Sequence, residues 1–183
     1  MPPSSGTRAP APHDRPVLVS ACLAGVPCRY DGRPLPDAEV VTAVRDGRAV
    51  PLCPEELGGL STPRPPAEIV GGDGGDVLDG LARVLDAHGN DVTDAVLLGA
   101  HRVADDARRR GITHAVLQAR SPSCGCGVIH DGSFSGRTVP GDGVLAALLG
   151  RQGVTVEARR GAVASPHRHR GAEPADAGHD AGQ

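Results

Sequence analysis

Three short apolar runs, Val17–Ala21, Arg48–Leu52 and His114–Gln118, each lead into a loop that carries a cysteine: Cys22, Cys53 and Cys124. Runs of about five residues rich in Val, Leu and Ala, bounded by Gly, Pro and charged residues, read as β-strands. If these strands lie parallel, their carboxyl ends share one edge of a sheet. Ligands of open α/β folds bind beyond that edge, in the crevice where strand order reverses. Three thiols far apart in the chain would then meet in space.

The intervening stretches fill in an α/β pattern. Pro36 to Arg45 reads as a short helix with Pro and Asp at its start and Gly47 as its stop. Thr93 is placed to cap a long helix reaching Arg110, with Val96, Gly99, Val103 and Ala107 on one face and Gly111 just past its end. Val77–Leu78 and Leu81–Asp86, parted by Asp79-Gly80, read as a hairpin, as do Gly127–His130 and Phe134–Thr138 about Asp131-Gly132. Gly143–Leu149 reads as a helix and Val154–Glu157 as a last strand. The expectation is a single Rossmann-like α/β domain over residues 16–158, with a partly parallel sheet and cysteine loops at the strand C-terminal ends. Residues 1–15, rich in Pro, Ser and Ala, read as a disordered leader. Residues 159–183, which include His167, His169 and His179, read as a disordered, solvated tail.

Composition narrows the function. The 183 residues hold no Trp, one Tyr (Tyr30) and one Phe (Phe134), so the core must come from Val, Leu, Ile and Ala. A net charge of −3 provides no overall basic field for nucleic acid. No apolar run is long enough to span a membrane, and Met1 to Arg15 lacks the apolar centre of a secretory signal. The expected compartment is the cytoplasm, where five cysteines read as metal ligands or catalytic thiols before disulfides.

The loops around the cysteines fit a site better than a strand core does. Cys22 precedes Leu-Ala-Gly25, Cys53 lies in Pro51-Leu-Cys-Pro-Glu55, and Cys124 lies in Ser121-Pro-Ser-Cys-Gly-Cys-Gly127. Pro fixes the loop backbone, and Gly lets backbone N–H groups approach an anionic group. The spacings are not those of zinc knuckles. Three thiolates without a nearby fourth suit a [4Fe–4S] cluster with one open iron, a Lewis acid. Cys28 and Cys126 compete as ligands, and spacing alone does not choose among the five.

These stretches also carry a resemblance. Ser20-Ala-Cys-Leu-Ala-Gly-Val-Pro-Cys-Arg-Tyr-Asp-Gly32, Cys53-Pro-Glu-Glu-Leu-Gly-Gly59, Thr62-Pro-Arg-Pro-Pro-Ala-Glu68, Ser121-Pro-Ser-Cys-Gly125, Asp131-Gly-Ser-Phe-Ser-Gly136 and Gly141-Asp-Gly143 resemble the DUF523 family, whose characterised members are thiouracil desulfidases. The likeness runs over residues 16–158. It implies an iron–sulfur enzyme that takes sulfur from 2-thiouracil or a related thiolated uracil, 4-thiouracil and thiouridine nucleotides included. On that reading water would attack the thiocarbonyl carbon and hydrogen sulfide would leave, with no net redox change. It implies a [4Fe–4S] cluster on Cys22, Cys53 and Cys124, with Glu55 and one of Ser121 and Ser123 beside it.

Under that reading Glu55 would be the general base and Glu56 its uninvolved neighbour. Arg29, Tyr30 and Asp31 could touch a pyrimidine or simply form a turn with Gly32. Arg64, held between prolines, could meet a carboxylate or phosphate, and Cys28 could line the pocket. The expected partner is a small thiolated pyrimidine, with no membrane and no nucleic acid. A cluster- or metal-binding module without catalysis is the alternative.

Overall fold

The computed structural model describes residues 15–161. The expected leader lies outside the described residues except for Arg15, as does the expected tail beyond Gly161.

Four strands make the main sheet: β1 (Val17–Ser20), β2 (Ala49–Leu52), β5 (His114–Gln118) and β8 (Thr155–Arg159). Their order is β2-β1-β5-β8, and every neighbouring pair is parallel. Pro51 is tolerated because β2 is an edge strand, where a missing N–H leaves no ladder bond unmade. From β1 the chain moves outward to β2, and from β5 it moves the other way to β8. Strand order therefore reverses between β1 and β5, which is the crevice where α/β sheets take ligands.

Two antiparallel ribbons flank this sheet in sequence: β3 (Ala67–Val70) with β4 (Arg83–Asp86), and β6 (Val128–His130) with β7 (Thr138–Pro140). The helices are α1 (Ala38–Arg45), α2 (Pro54–Leu57), α3 (Gly74–Leu78), α4 (Thr93–Arg109) and α5 (Val144–Arg151). The core is aliphatic, as composition requires. Leu18, Leu117, Val96, Val103, Leu145 and Leu149 are fully or almost fully buried.

Several local expectations need correction. Val77–Leu78 is not a hairpin arm but the end of α3. The Asp73 carboxylate accepts the Gly75 and Asp76 amides while Asp76 reaches back to the Asp73 amide, a capping box that closes a helix there. The partner of β4 is β3 instead. Thr93 does not cap α4. The cap position is Val92, and the Thr93 hydroxyl accepts the Val84 amide at 2.9 Å, tying the helix to β4. The second hairpin has a longer loop than expected, because the second strand starts only at Thr138.

At the end of β4, the buried Asp86 carboxylate gathers the chain reversal, accepting the His88 amide at 2.8 Å and the Asn90 amide at 2.9 Å. The Asn90 side chain, at 2.8 Å, is the main reason its carboxyl sits below the usual range. A depressed folded pKa gives stability that is present at neutral pH and fades as pH falls through about 4 and below. Asp86→Asn should therefore lower the urea midpoint at pH 7, with the gap to wild type narrowing at pH 3.

Helices α2 and α4 approach until backbone meets backbone. A Cβ at Gly99 would sit 1.7 Å from the Pro54 carbonyl oxygen, and one at Gly58 would sit 2.0 Å from that of Ala95. Gly99 thus sets where α2 can lie. Gly99→Ala is expected to cost on the order of 3 kcal/mol by overpacking, read as a lower denaturant midpoint.

Candidate metal centre and catalytic pocket

Each expected cysteine stands at the end of a parallel strand. Cys22 lies in the 3-10 turn Ala21–Ala24 directly after β1, and Cys53 caps α2 directly after β2. Cys124 follows β5 after five intervening residues. Backbone bonds from the start of α5 hold that last loop. The Gly143, Val144 and Leu145 amides donate to the carbonyls of Gly125, Pro122 and Ser123 at 2.8–2.9 Å. The Gly141-Asp-Gly143 segment is thus packed on the cysteine loop.

All three cysteines border one cavity of about 540 Å³, a usual size for a small-molecule site. Cys28 borders it too, its carbonyl accepting the Cys53 thiol at 3.9 Å. The Cys28 and Cys53 sulfurs and a Glu56 carboxylate oxygen lie within 4.8 Å of one another. Cys126 points elsewhere, its thiol donating to the Val156 carbonyl at 3.7 Å.

The protein alone disfavours ionisation of Cys28, Cys53 and Cys124. The hydrogen bond with Cys22 and, after it, burial push Cys28 up to about 12 against an opposing bond with Cys53. The hydrogen bond with Cys28, then burial, raises Cys53, and burial raises Cys124 against a hydrogen bond from Ser20. Several crowded sulfurs that cannot all ionise by themselves become ligands when a cationic centre supplies the missing positive charge. An all-sulfur donor set on one cavity wall fits a thiophilic group such as an iron–sulfur cluster.

Glu55 stands next to this sulfur group. Its Oε2 accepts Arg64 Nε at 2.9 Å and also pairs with Arg64 Nη2. Its Oε1 accepts the hydroxyls of Ser123 at 3.1 Å and Ser121 at 3.4 Å. The remaining Arg64 donors go to the Cys28 and Ser61 carbonyls and the Thr62 hydroxyl at 3.0–3.1 Å. All five N–H donors are engaged inside the protein, which leaves none for a substrate. The carboxylate this arginine meets is the protein's own.

The two serines divide their work. Ser121 borders the cavity, and its oxygen accepts the Ser123 and Cys124 amides at 3.1 Å each. Ser123 is fully buried and lies behind the wall. Arg29 and Tyr30 border the cavity, the guanidinium standing 5.5 Å from the ring centroid. Asp31 does not. Its carboxylate accepts the Arg33 amide at 3.1 Å, the turn-forming arrangement. Glu56, exposed, takes the Thr62 hydroxyl.

Sequence reasoning did not single out Gln118, Glu68, Arg120, His130, Phe134 or Arg160, which border the same cavity. Gln118 carries a signal in the structure: its Oε1 is buried without a partner among the described residues. In the sequence, its place at the end of β5, one strand over from Cys22, was the available clue.

An α/β domain with buried thiols and an ion-paired carboxylate around one crevice belongs to the class of folds whose side chains could hold a sulfur-ligated metal centre. The comparisons with known proteins agree with that class. Residues 17–160 match the model of the 2-thiouracil desulfurase family, and the chain belongs to that family. YbbK of Bacillus subtilis (strain 168), an uncharacterized protein, is 46% identical over 140 residues, 76% of this chain and 93% of its own length. The solved structure of the [4Fe-4S]-dependent thiouracil desulfidase TudS (DUF523Vcz) superposes with a TM-score of 0.69 at 39% identity, covering 79% of this chain and 90% of that one.

Removing Arg64 would strand a largely buried carboxylate. Arg64→Leu is expected to cost on the order of 3 kcal/mol in a denaturant titration. Arg64→Lys keeps the charge but can make at most three of the five bonds, so it should recover only part of that loss.

Proposed function

We propose that this protein is a [4Fe–4S]-dependent desulfidase that hydrolyses a thiolated uracil to the oxygen compound and hydrogen sulfide. The observation that carries this reading is the meeting of the sulfur group with Glu55 at one cavity, in a chain of the 2-thiouracil desulfurase family. Cys22, Cys53 and Cys124 are the proposed ligands, each supplied from the end of a different one of three adjacent strands. Cys28 stands past the turn Ala21–Ala24 rather than at the end of a strand, and its sulfur lies within 4.8 Å of that of Cys53. Cys28 is accordingly read as a wall residue facing the substrate. When bound, the cluster supplies a thiophilic Lewis acid for the substrate sulfur.

The protein side of the reaction follows from Glu55. The balance is a thiocarbonyl and water giving a carbonyl and hydrogen sulfide. The water must lose a proton as its oxygen joins the ring carbon, and the departing sulfur must gain protons. Glu55 is the group placed to take the first proton and hand it on. Arg64 fixes one carboxylate oxygen, so the other faces the serines and the cavity side. Ser121 is the hydroxyl placed to reach the substrate, while Ser123 positions Glu55 from behind. Free thiouracil and its nucleotides are both candidate substrates. The expected compartment remains the cytoplasm; among the described residues no helix is long and apolar enough to cross a membrane.

Sulfide release from 2-thiouracil by anaerobic protein tests this reading. Glu55→Gln is expected to lose about 10²–10⁴ in rate, the usual worth of a positioned general base, while Glu56→Gln should stay within a few-fold of wild type. Equal loss in both would remove the assigned base. Iron content of Cys→Ser variants tests the ligands: substitution at 22, 53 or 124 should strip the cluster, and Cys28→Ser should retain it. An iron-free Cys28→Ser protein would give Cys28 a ligand's place. A protein that binds the cluster but releases no sulfide would be a binding module.

A further inference from the structure

One Tyr, one Phe and no Trp occur in 183 residues, and both Tyr30 and Phe134 border the cavity. A chain that builds its core from aliphatic residues has placed its only Tyr and its only Phe at the site. Tyr30 already has Arg29 over its ring. Phe134 has no such cation among the described residues. We propose that Phe134 is the face on which the pyrimidine ring of the substrate stacks, held out over the cavity by Glu68. The proposal rests on the reading above that the ligand is a thiolated pyrimidine.

The backbone at Phe134 indicates a residue held for its side chain. Its φ is +55°, in the left-handed region that bulky residues rarely occupy and that is kept only where the surroundings enforce it. The surroundings here are specific. Glu68, a buried carboxylate on β3, accepts the Phe134 amide at 3.0 Å. The approach to Phe134 is pinned as well. The Asp131 carboxylate accepts the Ser133 amide at 3.0 Å and pairs with Arg137 at 3.1 Å. Gly132 lies so close to β3 that a Cβ would sit 2.5 Å from the Ile69 carbonyl oxygen.

This bracing does not bury the ring. Phe134 stays 39% exposed, so core packing does not account for it. A flat, polarisable heterocycle gains dispersion and quadrupole interactions against an aromatic face, and a phenyl ring offers no hydrogen-bonding group to compete for the thiocarbonyl. The same geometry gives Glu68 its part as a positioning residue acting through the Phe134 amide.

The test is equilibrium dialysis of cluster-loaded, anaerobic protein with uracil and with 5,6-dihydrouracil, whose saturated ring is puckered. Sulfide release from 2-thiouracil is measured on the same preparations. Wild type should bind uracil more tightly than dihydrouracil. Phe134→Ala and Phe134→Leu should weaken uracil about tenfold and erase that preference, as expected for loss of one stacking contact. Phe134→Tyr should keep both affinity and preference. If Phe134→Leu binds uracil like wild type, the ring face is irrelevant and the proposal fails, even where sulfide release shows the reaction is right. If wild type releases no sulfide yet shows the Phe134-dependent preference, the stacking role stands and the assigned reaction falls. If wild type binds neither ring, the stacking proposal is overturned.

Discussion

The ion pair between Glu55 and Arg64 holds the site together, because its hydrogen bonds reach every loop around the sulfur group. Arg64 bonds the Cys28 carbonyl from the loop after β1, Glu55 in α2 after β2, and the Ser61 and Thr62 turn of its own segment. Glu55 in turn accepts Ser121 and Ser123 from the loop after β5. Three loops that come from three separate strands are therefore clasped by two side chains. Buried charge pairs are weak sources of net stability, since desolvation offsets most of their attraction. What this pair provides is position, fixing a carboxylate beside the sulfurs.

Position also requires the backbone to come close, and the glycines permit it. Gly99 lets α2 lie against α4 and so fixes Pro54, the residue between Cys53 and Glu55. Gly143 does the same for the Cys124 loop, where a Cβ would fall 2.7 Å from the Ser123 carbonyl oxygen. The cysteine and carboxylate geometry thus depends on helix contacts that never touch the cavity. An aliphatic core suits this arrangement, because small side chains allow such short approaches.

Much of this was legible in the sequence, and the exceptions share a cause. Five-residue apolar runs ending in cysteine loops are local signals, and they led to β1, β2, β5 and the edge where the thiols meet. Periodicity found α4 and four of its buried positions, Val96, Gly99, Val103 and Ala107. The α3 turn was misread because Asp79-Gly80 resembles a hairpin turn, while the deciding capping box at Asp73 and Asp76 lay upstream. Thr93 has the chemistry of a helix cap, but its hydroxyl was claimed by β4. The division between Ser121 and Ser123 and the presence of Glu68 at the cavity depend on contacts more than sixty residues away in sequence, and the saturation of Arg64 on loop geometry together with one bond to Cys28. Local pattern carries no record of these.

The central claim is that thiolated uracil is desulfurised here by hydrolysis, with Glu55 moving the water's proton and no external electrons consumed. The most direct measurement is turnover of 2-thiouracil by cluster-loaded protein in ¹⁸O-labelled water, without any reductant, following sulfide and the mass of the uracil formed. The account predicts one sulfide for each uracil, with a single ¹⁸O atom at the carbon that had borne sulfur. Sulfide release that requires a reductant, or a product without the label, would contradict it.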